Sequence, residues 1–260
     1  MKKGVLYCLF LASLMLFFSV PSSAFELKGL QPIQPYGGFS AFNASTPGKG
    51  VYSMGIGFER SVDMNYYRAT INGGYGISSG TEFLLTIPYL IEWNNSLDGL
   101  EDISAGIKQR FFKENKYGPS VAYLLKFSLP TGKNKFTTGG AAGAGLIISK
   151  KLGPFSSSLN LIYSVPFDGS YSKQLELIWG LDLRSAHDFD IVAELYAVDS
   201  YFTAGFDSVE GRLGYRIRTA ENVYTVLGAG YDFKGHDPEF RLTVSFNFIF
   251  RKNNNAGDNL

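Results

Sequence analysis

The chain has 260 residues, a formal net charge of +1 at pH 7 and one cysteine, Cys8. The near-neutral charge gives no support to nucleic acid or an anionic membrane surface as a partner, and a single cysteine excludes an intramolecular disulfide and a cysteine-based metal site. Phe (22), Tyr (16) and Gly (30) are abundant. The order of the residues along the chain therefore has to show which class of aromatic-rich and glycine-rich protein this is.

The first 24 residues have the pattern of a secretory signal peptide. Lys2 and Lys3 precede an apolar run that ends in Pro21-Ser22-Ser23-Ala24, which places small residues one and three positions before a cut after Ala24. The apolar run is short for a transmembrane helix, and Cys8 lies too early in it for lipidation at the cleavage site. We therefore predict an exported protein that has no cysteine after cleavage.

The next segment, residues 25–49, contains Pro32, Pro35 and Pro47 and shows no sustained alternation. Proline removes a backbone donor and is confined to the edges of sheets. We therefore predict a periplasmic N-terminal lead-in over residues 25–49, with an extension of the sheet by residues 36–42 as the alternative.

From Val51 to Phe250, apolar residues recur at every second position in twelve segments, of which FRLTVSFNFIF, the last, is the clearest. Period-two alternation over about ten residues predicts strands. Tight connections, such as Gly153-Pro154, alternate with longer ones, such as residues 94–101, so the two kinds fall at opposite ends of the fold. We predict an all-β fold, a transmembrane antiparallel up-and-down β-barrel of about 12 strands over residues 50–250, and a flexible C-terminal tail over residues 251–260.

The charged residues of these segments lie on the faces opposite to the apolar ones. A soluble sandwich would expose the charges to water, whereas a membrane barrel turns its apolar face to lipid and its charges inward. The segments are long for a sandwich and often end in aromatic residues, such as Tyr89 and Trp93. We therefore predict the outer membrane of a Gram-negative bacterium, with outer-membrane lipid and, during biogenesis, the barrel assembly machinery as partners.

The face assignment also predicts which side chains line the lumen. Because acids and bases are about equally frequent there, we expect ion pairs that either fill the lumen or form a constriction selecting solutes. The charged candidates are Glu82, Lys108, Arg110, Lys126, Glu176, Asp182, Glu194, Arg212, Arg216 and Arg241. Inward apolar residues would suit an apolar or aromatic solute, or else pack a plugged lumen; they are Leu84, Leu124, Ile147, Ile178, Val192, Tyr196, Tyr224 and Val226.

GLEDISAGIKQRF, residues 99–111, and LPTG, residues 129–132, carry a family resemblance. They are similar to the G-x-G-D-x-x-x-G-x-K-Y-R-F and L-P-T-G motifs of the meta-pathway phenol-degradation family of outer-membrane β-barrel proteins, and residues 146–163 are similar again. Glu101 and Gln109 replace a glycine and an aromatic residue of that pattern. The resemblance implies a transporter-like barrel that passes small, often aromatic or hydrophobic compounds.

Three functions follow from this pattern, in order of preference. The first is an outer-membrane channel or transporter for passive uptake of small-molecule solutes, possibly aromatic or hydrophobic; the second is a non-conducting structural or adhesive barrel; the third is an outer-membrane hydrolase. A hydrolase needs a histidine beside a nucleophile or an acid, but His187 and His236 lie in a turn and a loop with no marked nucleophile. We predict no enzyme activity, no cofactor and no metal site.

Overall fold

The computed structural model describes residues 29–62, 66–92, 98–133, 136–199, 206–234 and 239–251. The predicted signal peptide, residues 252–260 of the predicted tail and His236 lie outside these ranges. The described residues contain no helix long and apolar enough to cross a membrane. Their strands are β1 (Val51–Ser61), β2 (Tyr66–Gly76), β3 (Thr81–Glu92), β4 (Asp98–Leu100), β5 (Ser104–Phe112), β6 (Ser120–Ser128), β7 (Ala141–Leu152), β8 (Phe155–Pro166), β9 (Gln174–Ala186), β10 (Phe189–Asp199), β11 (Ser208–Ala220), β12 (Val223–Asp232) and β13 (Phe240–Arg251).

The strands close into one antiparallel barrel. β1 pairs with both β2 and β13, and, except between β4 and β5, consecutive strands along the chain pair with each other. β4 and β5 both pair with β3, so they are two parts of a single barrel strand that is interrupted at residues 101–103. The described residues therefore form a closed barrel of twelve strands, as predicted, and closure leaves no exposed sheet edge.

The two ends of the barrel differ in their connections. Residues 153–154, 187–188 and 221–222 form two-residue turns at one end, whereas residues 167–173 form a longer loop at the other. The first and last strands meet at the short-turn end, where Val51 pairs with Arg251. This arrangement is typical of outer-membrane barrels, whose short turns face the periplasm.

Two carboxylates order the long-loop end. Asp102 accepts hydrogen bonds from the backbone N–H groups of Gly132 and Thr138, each at 2.9 Å. Asp168 accepts the N–H of Ser170 at 2.9 Å, and this hydrogen bond holds the pKa of the Asp168 carboxyl below its usual value because it stabilises the ionised form.

The outer face of the barrel is apolar. The side chains that the alternation assigned to lipid are exposed there, and they include Tyr52, Phe58, Ile71, Leu125, Leu161, Leu213 and Phe246. The residues between them, such as Ser53, Asn72 and Leu124, are buried inside. An apolar surface that encircles the whole barrel is the surface expected of a protein embedded in lipid.

The lumen contains residues 29–50, which we call the lumen segment. Its backbone contacts side chains from strands spread around the barrel: Gln31 N–H donates to Thr86 of β3 (3.0 Å), Gln34 N–H to Asn247 of β13 (3.3 Å) and Phe42 N–H to Asn160 of β8 (2.6 Å). The described part of the segment has one isolated β-bridge of its own, between Gly37 and Phe42.

This position differs from the predicted periplasmic lead-in over residues 25–49. The segment lies outside the sheet, and its apolar side chains, including Ile33 and Phe42, are buried within the barrel. Its backbone partners come from wall residues far away in the sequence, 55 positions for Gln31 and 213 for Gln34. The alternation of apolar and polar residues along one segment does not predict such distant contacts.

Candidate functional site

One side of the lumen is packed with apolar side chains against the lumen segment. We call this side, the inner face of β6 to β10, the apolar wall; its main residues are Leu124, Ile147, Ile162, Ile178, Val192 and Tyr196. Most of them form one buried cluster with Leu30, Ile33, Ala41, Phe42 and Ala44 of the lumen segment. Of the inward apolar residues predicted from the sequence, five belong to this cluster and pack a filled lumen: Leu84, Leu124, Ile147, Ile178 and Tyr196.

Glu194 and Asn160 bind the backbone of the lumen segment through several hydrogen bonds. Glu194 accepts the N–H groups of Ser40 (2.8 Å) and Ala41 (2.7 Å). Asn160 accepts the N–H of Phe42 and donates to its carbonyl oxygen at 2.9 Å. These contacts satisfy buried backbone groups that would otherwise be costly to bury. Side-chain hydrogen bonds thus satisfy backbone groups of the segment, as strand pairing satisfies those of the wall.

A buried ion pair of the barrel wall contacts the lumen segment at Asn43. Lys108 of β5 lies 2.8 Å from Glu82, its direct neighbour on β3, and both side chains are only 1% exposed. The Lys108 ammonium also donates to the carbonyl oxygen of Asn43 at 3.0 Å. Arg110, two residues along, is half-buried and donates to the Ser79 carbonyl in the β2–β3 turn at 2.8 Å. It is therefore a rim residue.

Arg212 links the wall to the lumen segment. Its guanidinium donates two hydrogen bonds to the Glu210 carboxylate, both at 2.8 Å, and one to Glu194 at 3.0 Å. It also donates to the Ser40 hydroxyl at 2.5 Å and lies over the Tyr196 ring, 5.0 Å from the ring centroid. Four of the five N–H donors of Arg212 are thus used within the protein.

The remaining predicted charges also lie on the inner face in ion pairs. Arg216 contacts Asp190 (2.8 Å) and Asp182 (3.3 Å) and donates to Gln34 of the lumen segment (2.7 Å). Lys126 of β6 pairs with Glu176 of β9, three strands away. Arg241 pairs with Glu210 at 3.1 Å. The ten charged candidates are thus brought into one lumen, with Arg110 at its rim. Whether any of them selects solutes remains a prediction.

Sequence reasoning missed Glu101, Asn160 and Ser149. Glu101 stands where the family motif has a glycine, and its carboxylate binds Arg68 through two hydrogen bonds at 2.8 and 3.0 Å. Asn160 and Ser149 bind the segment backbone. A large polar amide at an inward position of β8 was the available signal for Asn160.

The opposite side of the lumen is lined by small and uncharged polar side chains. We call this side, the inner face of β13, β1 and β2, the polar wall; it includes Ser53, Gly55, Gly57, Thr70, Asn72, Thr243, Ser245 and Asn247. Between it and the lumen segment lies a cavity of about 90 Å³, which Phe39, Val226 and Arg212 also line. The sequence signal for this wall is the recurrence of small residues at every second position of three neighbouring strands.

No set of metal ligands is assembled in the described part of the chain. Within those ranges, no three His, Cys, Asp or Glu side chains are grouped to hold a metal ion. His187 is exposed in the β9–β10 turn. The site is therefore the lumen itself, with its segment, its charge pairs and its cavity.

Comparisons with known proteins agree with this architecture. The family model described as "Putative MetA-pathway of phenol degradation" matches residues 31–259. The crystal structure of the COG4313 outer membrane channel from Pseudomonas putida F1 is similar over 80% of this chain and 98% of that one, with a TM-score of 0.61 and 11% identity. The KdgM porin (76% and 99%, TM-score 0.60, 12% identity) and the NanC porin (75% and 98%, 0.57, 11%) are similar too. At these identities the likeness shows a shared fold. The curated proteins include no match.

Proposed function

We propose that this chain, which belongs to the family described as "Putative MetA-pathway of phenol degradation", is an outer-membrane channel for passive uptake of small molecules. The observation that carries the proposal is a closed barrel whose lumen is occupied by a segment that is not part of its wall. We infer that solutes pass through this lumen when the lumen segment shifts.

The energetics favour movement of the segment over opening of the wall. Separating two barrel strands would break a whole antiparallel ladder, such as the eleven residue pairs between β1 and β13. The segment is held instead by individual hydrogen bonds from Glu194, Asn160, Ser149 and Lys108 and by the apolar cluster that it shares with the wall. A neutral hydrogen bond contributes only about 0.5–1.5 kcal/mol, and one to a charged group about 1.5–3 kcal/mol. The segment is thus the part of the lumen that can move while the barrel stays closed.

The favoured solutes are aromatic or hydrophobic compounds. A shift of the lumen segment would uncover Leu124, Ile147 and Ile178 of the apolar wall, which now pack against it. An apolar solute would gain from contact with these side chains. The description of the family points to the same class, and the family match includes most of the lumen segment.

A specific observation also favours the second candidate, a non-conducting structural barrel. Phe42, Ala41 and Ala44 of the lumen segment are almost completely buried, so the segment could be a permanent plug. The two candidates differ in one measurable property, the conductance of the barrel when the segment is free and when it is fixed.

A disulfide between the segment and the wall separates these candidates. The Cβ atom that Gly180 lacks would lie 2.7 Å from the Cβ of Ala41, so cysteines at these positions need only a small shift to reach the usual separation of about 3.8 Å. We expect Ala41→Cys/Gly180→Cys to conduct in planar bilayers and take up phenol into liposomes only when reduced. Each single cysteine variant is the control. Absence of conductance in wild type and in the reduced variant would support the permanent plug.

A further inference from the structure

The cavity exists because the polar wall is built from small residues. Gly57 is so close to its neighbour on β2 that an added Cβ would lie 2.5 Å from the Thr70 hydroxyl. Gly55 is similarly constrained, by the Asn247 side chain at 2.9 Å. Larger side chains at these places would fill the space along the segment. A cavity of about 90 Å³ has room for roughly six to nine groups the size of a water molecule, which is enough for a single-ring compound.

An unpartnered hydrogen-bond acceptor lies beside the cavity. Asn72 lines the cavity and is 8% exposed, and its buried amide oxygen has no hydrogen-bond partner among the described residues. Leaving a buried carbonyl oxygen unsatisfied costs about 1–3 kcal/mol. A rotation of the amide toward the cavity would let a ligand donate an O–H to this oxygen, which would remove that cost.

The two cations that line the cavity are already paired with carboxylates. Arg68 binds Glu59 (3.1 Å) and Glu101 (2.8 Å), and Arg212 binds Glu210 and Glu194. An anionic ligand would therefore enter a buried space in which no cation is free, and an uncompensated buried charge is strongly unfavourable. The electrostatics favour a neutral ligand over an anion.

An aromatic side chain of the lumen segment already forms one boundary of the cavity. The ring of Phe39 lies directly over Gly228 of β12, where any side chain would collide with it, and Val226 lines the cavity beside it. The cavity thus combines an apolar boundary with the Asn72 acceptor and the hydroxyls of Thr70, Thr243 and Ser245.

We propose that this cavity is a binding site for small neutral hydroxylated compounds, with the Asn72 amide oxygen as acceptor of the ligand hydroxyl. This proposal rests on the proposed channel function, because it places the solute site of the channel beside the polar wall. It adds a selection rule: a neutral hydroxyl compound is taken up in preference to an anion of similar size.

Uptake of phenol and of benzoate into liposomes tests the selection rule. Asn72→Leu keeps the size of the side chain and removes the acceptor, so we expect phenol uptake to fall about three- to tenfold, the effect of one lost hydrogen bond, with little change for benzoate. Ser164→Ala is the matched control: Ser164 is buried on the inner face of β8, has an unpartnered hydroxyl among the described residues and does not line the cavity. Phenol uptake that is equal in Asn72→Leu and wild type would overturn the proposal.

Cysteine labelling tests binding without relying on transport. The sequence has one cysteine, Cys8, within the predicted signal peptide, so Asn72→Cys and Ser164→Cys each introduce a single thiol into the barrel. In the purified full barrel we expect a small methanethiosulfonate to label Asn72→Cys, phenol to slow that labelling at least threefold, and Ser164→Cys to be unaffected by phenol. Protection without uptake would leave the binding site standing and contradict the channel; uptake without protection would do the reverse.

Discussion

The two walls of the lumen use the same strand geometry for opposite purposes. Both turn every second side chain inward, but the apolar wall places residues such as Ile147 and Ile178 there, whereas the polar wall places glycine, serine, threonine and asparagine. The first wall is packed against the lumen segment, and the second leaves a cavity of about 90 Å³ beside it. The comparison shows that side-chain volume, and not strand pairing, decides where the filled barrel has free space.

The largest expected effect comes from Glu194, which fixes the segment between the two walls. Glu194→Leu removes the acceptor for the N–H groups of Ser40 and Ala41 and one partner of Arg212. Because hydrogen bonds to charged groups contribute about 1.5–3 kcal/mol each, we expect the segment to be held less tightly by about 3–5 kcal/mol. Hydrogen exchange at residues 40–44 should accelerate and bilayer conductance should rise. Glu194→Gln, which keeps an acceptor oxygen, should show a smaller change; unchanged exchange in Glu194→Leu would argue against this anchoring role.

An intermediate effect is expected for the two cations of β5. Lys108→Gln leaves the buried Glu82 carboxylate without its cation, so we expect a loss of about 3 kcal/mol in the free energy of unfolding. Arg110→Gln should cost less than about 1 kcal/mol because Arg110 is a half-buried rim residue. Denaturant unfolding in detergent micelles measures both. A greater loss for Arg110→Gln would contradict the assignment of Arg110 to the rim. A change in ion selectivity for either variant would show that it also meets passing solutes.

The smallest effect compares one methyl group on each wall. Ile147→Val removes a methyl group from a fully buried side chain of the apolar wall, and we expect a cost of about 1 kcal/mol. Thr243→Ser removes a methyl group that borders the cavity, so the cost should stay below about 0.5 kcal/mol. Denaturant unfolding in detergent micelles measures both costs. Equal costs at the two positions would mean that the walls are packed alike.

Much of the wall could be predicted from the sequence because its signal is local. Alternation along each segment assigned Phe58 and Leu213 to lipid and Leu124 and Ile178 to the lumen, and the structure agrees. Glu101 shows the limit of this reasoning. It departs from the family motif and lies between β4 and β5, yet it is buried against Arg68. A motif compares positions along the chain and contains no information about a partner 33 residues away.

The strands, their number, the two faces and the two ends of the barrel could be predicted from the amino-acid sequence, since each follows from neighbouring residues in an extended chain with a repeat of two. Tertiary contacts were needed to show that residues 29–50 enter the lumen, that Lys126 pairs with Glu176 there and that Asn72 borders a cavity. These contacts depend on the barrel's closure, which brings residues far apart in the chain to within hydrogen-bond distance. No single segment of the sequence therefore predicts these contacts.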